Sequence, residues 1–247
     1  MGKIISSYIF PHPPLLVPEV GNGAEQEVKA TLKAAGIVSS EIREAGPSTI
    51  IVTTPHAPAF EDYVYISDKE VIKGNMGRFG RADVSLTFNN NTELMEKIVK
   101  YAAEAGIRCG GINTGIADEY NRINELDHGA FVPLYHINKE YGNFKVVHIS
   151  SISTLSLEEF YRFGMCIRNA VEESEEKVVI VASGDMSHRL TKDAPYGYST
   201  RGKEFDNLVI NSIKQNNIER LLEVDSDLCE SAGECGLSSF IIMLGVM

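Results

Sequence analysis

Lys177-Val178-Val179-Ile180-Val181-Ala182-Ser183 is the strongest apolar run in the chain, and it leads straight into Gly184-Asp185-Met186-Ser187-His188. A run with no polar alternation predicts a strand buried on both faces, the kind found in parallel sheets. Residues 48–54 (STIIVTT) and 145–149 (KVVHI) have the same character. Residues 3–10 are apolar and β-branched and stop at Pro11-His12-Pro13-Pro14, so a first strand ends there.

Helical spacing separates these runs. It covers residues 24–35, stopping at Gly36, and residues 95–105 behind an N-cap at Thr92. A helix over 156–174 opens on a capping box formed by Ser156 and Glu159. Residues 203–214 and 218–222 read as helices, and 235–247 as a last apolar helix. Shorter strands are predicted at 63–66, 71–72 and 84–88, with a loop at 110–115 and the apolar stretch 132–134 after Asp127-His128-Gly129. Strands alternating with helices predict an α/β single domain, 1–247, with a largely parallel, helix-covered central sheet. No internal repeat or linker interrupts it. The chain stops on Leu244-Gly245-Val246-Met247, still apolar, which predicts that the natural polypeptide continues.

Composition narrows the function classes. With 43% hydrophobic and 23% charged residues in 247, a sizeable core is expected. The 34 acidic residues outnumber the 23 basic ones, for a net charge of −11, and such a surface repels nucleic acid. The N-terminus lacks a signal peptide, and no apolar stretch is long enough to cross a bilayer, so a cytoplasmic protein without membrane contact is expected. Cys109, Cys166, Cys229 and Cys235 form no CxxC pair; reduced thiols are expected, with neither disulfide framework nor zinc ribbon.

The chemistry gathers where strands end. His12, His56 and His188 each follow a predicted buried strand, and open α/β sheets bind ligands at the carboxyl ends of strands. Taken singly, each histidine is more simply a solvated loop residue. His12 and His56, however, are both bracketed by prolines (PHPP, TPHAP), which stiffens the loops as metal ligands require. The carboxylate-rich segment Asp225-Ser226-Asp227-Leu228-Cys229-Glu230-Ser231-Ala232-Gly233-Glu234-Cys235 offers helix-dipole complementation or a third ligand, Glu234 or Glu230. Two histidines and a carboxylate make the facial set of non-haem Fe(II) oxygenases, which leaves positions open for substrate and dioxygen. His188, with an ordinary pKa near neutrality, suits a general base or acid. A serine hydrolase fits less well, since no GxSxG elbow is present.

In order along the chain, PHPPLL, TPHAP, DHG followed by VPL, SGDMSHRL and the ECG segment resemble the B-subunit family of class III extradiol ring-cleavage dioxygenases. Its nearest branch is related to Memo-like proteins, often followed by an AMMECR-type domain and associated with a radical-SAM protein. The resemblance implies His12, His56 and Glu234 as ligands of Fe(II), with zinc an alternative in purified protein. It implies His188 as catalytic base and His128 as a second histidine facing substrate or oxygen. The implied partners are a small aromatic diol, dioxygen and an AMMECR-type domain, with a homo-oligomer left open. One departure matters: the Memo-like branch carries a Cys-Gly pair near the ligand position, and Cys235-Gly236 stands here. A thiolate ligand would favour zinc or copper over oxygen chemistry. A metal-binding scaffold without dioxygenase activity is the alternative reading.

Overall fold

The computed structural model describes residues 1–112, 125–194 and 196–247. In chain order the elements are β1 (Lys3–Phe10), α1 (Pro18–Gly21), α2 (Lys29–Ala45), β2 (Thr49–Thr54), β3 (Val64–Tyr65), β4 (Val71–Met76), β5 (Arg81–Asn89), α3 (Thr92–Glu104) and β6 (Cys109–Gly110). They continue with α4 (His128–Glu140), β7 (Lys145–Ser150), α5 (Leu157–Glu172), β8 (Lys177–Ser183), α6 (Thr200–Lys214), α7 (Glu219–Leu222), α8 (Ser226–Ala232) and α9 (Leu237–Val246).

The central sheet has the order β1-β8-β2-β7 and is parallel throughout. Side chains alternate faces along a strand, and the core divides accordingly. Ile50, Val52, Val179 and Val181 join Ala35 and Ile42 of α2 and Ala130, Leu134 and Ile137 of α4. Ile51, Val178 and Ile180 face the other way, against Ile98 of α3, Phe163 and Ile167 of α5 and Ile241 of α9. The apolar runs lack polar alternation because helices cover both faces. Phe10 is level with Ser183, Thr53 with Ala182, and Thr54 with Ser150, so four carboxyl ends open onto one edge.

The capping box at Ser156 and Glu159 is present. Elsewhere the boundaries differ from expectation. The 24–35 segment divides into a 3-10 turn and α2, which passes through Gly36 and ends at left-handed Gly46. Gly36 is exposed and tolerated, whereas Gly46, at φ 58°, takes the conformation that terminates a helix. The N-cap of α3 is Asn91, whose side chain accepts the Leu94 N–H, one residue before the expected Thr92. The apolar stretch 132–134 belongs to α4, with Pro133 inside the helix. Of the loop expected over 110–115, the residues from 113 on lie outside the described residues.

Helices α5 and α9 cross where Gly164 meets Gly245. A β-carbon on Gly164 would stand 2.2 Å from the Ile242 carbonyl oxygen and 2.8 Å from Gly245 Cα. Both obstacles are backbone, so the helices themselves would have to separate. Gly164→Ala is therefore expected to destabilise the protein by about 1–3 kcal/mol, the usual cost of overpacking. Thermal denaturation beside wild type measures it; an unchanged midpoint would mean that the crossing yields freely.

Candidate metal centre

Each candidate side chain is delivered by a strand end or a helix start. His12 lies two residues past β1 and His56 two residues past β2, and their Nε2 atoms are 3.0 Å apart. His128 is the first residue of α4; its ring stacks on that of His56 at 4.1 Å and meets that of His12 edge-on at 5.5 Å. Asp185 and His188 occupy the loop after β8. The His12 N–H donates to Asp185 Oδ1 at 3.0 Å, and Asp185 Oδ2 is 3.5 Å from His188 Nε2.

Cys235 enters from the start of α9. Strand end and helix start touch at two glycines: a β-carbon on Gly184 would lie 2.3 Å from Gly236 Cα. With no side chain on either, Cys235 Sγ accepts the Asp185 N–H at 3.4 Å and lies 3.7 Å from His12 Nε2 and 4.0 Å from His188 Nε2. His12, His56 and Cys235 each present a donor atom within 4.8 Å of the others, and so do Asp185, His188 and Cys235.

Glu234 stands elsewhere. Its carboxylate accepts the Leu237 N–H at 2.8 Å and so caps the start of α9. Burial raises its pKa against these backbone hydrogen bonds. Glu230 is exposed on α8. Thus the structure brings His12 and His56 together with Cys235, and sets His128 and His188 beside them. Neither glutamate enters the three-donor groups found among the described residues.

Electrostatics separate the histidines. Withdrawal from water is the first cause that lowers the pKa of His12, outweighing nearby Asp185. It also lowers His56 against Asp127, although part of that ring reaches solvent. His128 falls to about 4 through burial and then the neighbouring His56. These rings are neutral at pH 7 and offer lone pairs. His188 moves oppositely, up to about 10, held first by Asp185 and then by Cys235.

Behind the donors lies a polar support that the sequence reading did not single out. Asp127 caps α4 at the Ala130 N–H, accepts Thr54 Oγ1 at 2.7 Å, and is 3.0 Å from His148 Nε2. Burial pushes the Asp127 carboxyl up, but the His148 and Thr54 bonds outweigh it and hold the carboxyl below the aspartate range. A lowered folded-state pKa adds stability above the unfolded value of about 3.9 that is lost as pH falls below it. Asp127→Asn is accordingly expected to flatten the stability-versus-pH curve below about pH 4. Urea titrations across that range test it, and equal slopes for both proteins would exclude the role.

Two aromatic rings border the centre. Phe79, in the turn between β4 and β5, meets His128 at 5.3 Å, and Tyr196 meets His188 at 5.4 Å. Nothing in the linear spacing pointed to either.

Fold and donors together define an α/β protein with a group of side chains at its strand ends that could hold a metal ion. Over residues 6–247 the chain matches the family described as the catalytic LigB subunit of aromatic ring-opening dioxygenase, and it belongs to that family. It is 42% identical over 240 residues to Protein CA_C1420 of Clostridium acetobutylicum, covering 97% of this chain but 51% of that protein, so it spans about half that relative's length. It is 28% identical over 218 residues to the 3,4-dihydroxyphenylacetate 2,3-dioxygenase of Escherichia coli, covering 83% and 74% of the two chains. It is 26% identical over 263 residues to the 2-aminophenol 1,6-dioxygenase beta subunit of a Pseudomonas species, covering 94% and 81%. The crystal structure of uncharacterized protein JW3007 from Escherichia coli K12 superposes with a TM-score of 0.58 at 15% identity, over 85% of this chain and 81% of that one, a likeness of fold. No helix among the described residues is long and apolar enough to cross a membrane.

Dioxygenases of this family use a metal, and the donors here suit one. Nitrogens at ~2.1 Å and a thiolate at ~2.3 Å from one ion lie roughly 3–4 Å from each other. The observed separations of 3.0 Å and 3.7 Å fall in that range.

Proposed function

We propose that this chain is a metal-dependent dioxygenase that opens the ring of a small aromatic diol, with the metal held by His12, His56 and Cys235. The observation that carries the reading is the meeting of His12 Nε2 and His56 Nε2 at 3.0 Å, at the carboxyl edge of a parallel sheet, beside Cys235. Fe(II) is the metal this reading names. The thiolate makes the set softer than two histidines and a carboxylate, and so draws zinc and copper as well.

When bound, the metal supplies Lewis acidity and a place for the diol oxygens and dioxygen. The chain's own groups do the rest. His128, neutral and stacked on His56, hydrogen-bonds a diol or oxygen atom from one side. From the other side the His188 ring takes the hydroxyl proton, and Asp185, 3.5 Å from its Nε2, steadies the imidazolium. That role requires a neutral His188, and a cation on Cys235 favours it by offsetting the negative charge that raises the His188 pKa. Both dioxygen atoms enter the product as the ring C–C bond beside the two oxygens breaks, so no outside reductant is consumed.

A second reading, a metal-binding scaffold without dioxygenase activity, is favoured by the place of Cys235 where a carboxylate would suit oxygen chemistry better. An AMMECR-type domain as partner belongs to the same proposal, since the Clostridium relative is about twice as long as this chain.

The test begins without oxygen. The chain has no tryptophan, so Phe79→Trp places a single tryptophan, selectively excited above the tyrosine band, beside His128. Fe(II)-loaded protein is titrated with a panel of catechols, followed by fluorescence and difference absorbance, and air is then admitted. Diol binding followed by ring-fission absorbance is the expected result. Binding without fission under any metal supports the scaffold, and failure to bind any diol would overturn the dioxygenase reading.

A further inference from the structure

We propose that Ser183, aided by Pro133, fixes the tautomer of His12 so that Nε2 is left bare for the metal; the inference rests on the reading of His12 as a ligand. Ser183 ends β8 and is completely buried. Its Oγ lies 2.6 Å from the Gly129 carbonyl oxygen and 2.8 Å from His12 Nδ1. A hydroxyl owns one proton. The carbonyl can only accept, so the serine proton points to Gly129. The oxygen lone pair then faces His12, and Nδ1 has to donate. A neutral imidazole carries a single N–H. Nε2 is therefore unprotonated, and it is this nitrogen that lies 3.0 Å from His56 Nε2 and 3.7 Å from Cys235 Sγ.

The direction of this relay originates in a carbonyl, and the sequence makes that carbonyl available. In an α-helix the Gly129 oxygen would receive the N–H of the residue four positions on. That residue is Pro133, which has no N–H. A proline inside a helix is ordinarily a fault; here the vacated carbonyl becomes the acceptor for Ser183. Glycine at 129 completes the arrangement. A β-carbon there would lie 2.4 Å from Thr54 Oγ1 and 3.2 Å from His56 Cδ2, so the missing side chain lets β2 and the His56 loop close over the start of α4. Ser183, Pro133 and Gly129 thus act on the metal through His12 and are positioning residues.

Nitrogen-15 NMR of His12 in metal-free protein, at roughly pH 8 and above the histidine range, reads the tautomer directly. The expected signature is a protonated Nδ1 with a bare Nε2. In Ser183→Ala the signature becomes mixed, and zinc affinity measured by chelator competition falls by about 10–100-fold, as for other partners of a ligating histidine. Pro133→Ala supplies a competing N–H and moves both readouts the same way by a smaller factor. A wild-type His12 protonated at Nε2, or Ser183→Ala protein binding zinc within about twofold of wild type, overturns the relay. Wild type that binds no zinc overturns the metal reading instead. The tautomer measurement needs neither metal nor variant, so it decides the relay even if Ser183→Ala does not fold.

Discussion

His12→Ala and His56→Ala proteins are each expected to lose bound metal, with affinity falling by more than the about 10–100-fold that follows loss of an outer partner. Each removes one of two nitrogens that meet at 3.0 Å, and Cys235 with the remaining histidine is a two-donor set. Both variants should still fold. His56 is exposed on the loop after β2. His12 is buried, and its loss removes one of the two hydrogen bonds of Ser183, whose hydroxyl still donates to Gly129, at about 0.5–1.5 kcal/mol, less than the whole stability of such a domain. Metal per chain, measured on protein reconstituted with excess Fe(II) or zinc and then desalted, is the readout. Metal content equal to wild type in both variants would sink the assignment. The same measurement decides the third ligand. Cys235→Ala should behave like the histidine variants. Glu234→Gln should keep its metal and lose only part of a helix cap, about 1 kcal/mol. The reverse pattern would return the role to Glu234.

The choice between Glu234 and Cys235 is not encoded in linear spacing. The continuous apolar runs at 3–10, 48–54, 145–149 and 177–183 announced the parallel sheet, because double-sided burial leaves no room for alternation. Proline-bracketed histidines just past two of those runs marked the edge at which side chains would gather. Glu234 and Cys235, however, are neighbours on a non-helical turn, where adjacent side chains diverge. Which one faces His12 depends on Gly184 resting against Gly236, a contact between residues far apart in sequence. Donor chemistry favoured the carboxylate; backbone contact turns the thiol inward.

The supporting groups were illegible for a related reason. Asp127 was visible only as part of a DHG motif, whereas its structural work is done by a bond to His148, in the middle of a buried strand. Pro133 sits inside α4, where a proline removes a backbone donor. Its cost is offset by a tertiary donor, the Ser183 hydroxyl on the Gly129 carbonyl, and local propensity carries no information about such compensation. Phe79 belongs to a turn held by Asn75 Oδ1, which accepts the Gly77 N–H at 2.8 Å, and closed by Gly80 at φ 80°. That the turn reaches His128 follows from how the β4–β5 hairpin packs through Met76 against Phe131 and Val132.

His188→Ala is expected to keep the metal and to lose turnover by about 10²–10⁴-fold, the range for a lost general base. His188 Nε2 is 4.0 Å from Cys235 Sγ and 3.5 Å from Asp185 Oδ2, near enough to reach a bound diol, while His12, His56 and Cys235 form a donor set without it. Its side chain is 30% exposed, so a proton taken there can pass to solvent. Asp185 differs from His188 in what it supports. It accepts the His12 N–H as well as facing the His188 ring, so Asp185→Asn should weaken metal and turnover together, whereas His188→Ala separates them. Metal content and kcat on Fe(II)-loaded protein, with kcat/KM followed against pH, provide the comparison. A base should leave its titration in the wild-type profile and none in the variant. If His188→Ala protein loses its metal, His188 is a ligand through the Asp185–His188–Cys235 group. If it keeps both metal and turnover, the proton leaves by another route, and Asp185 becomes the group to examine.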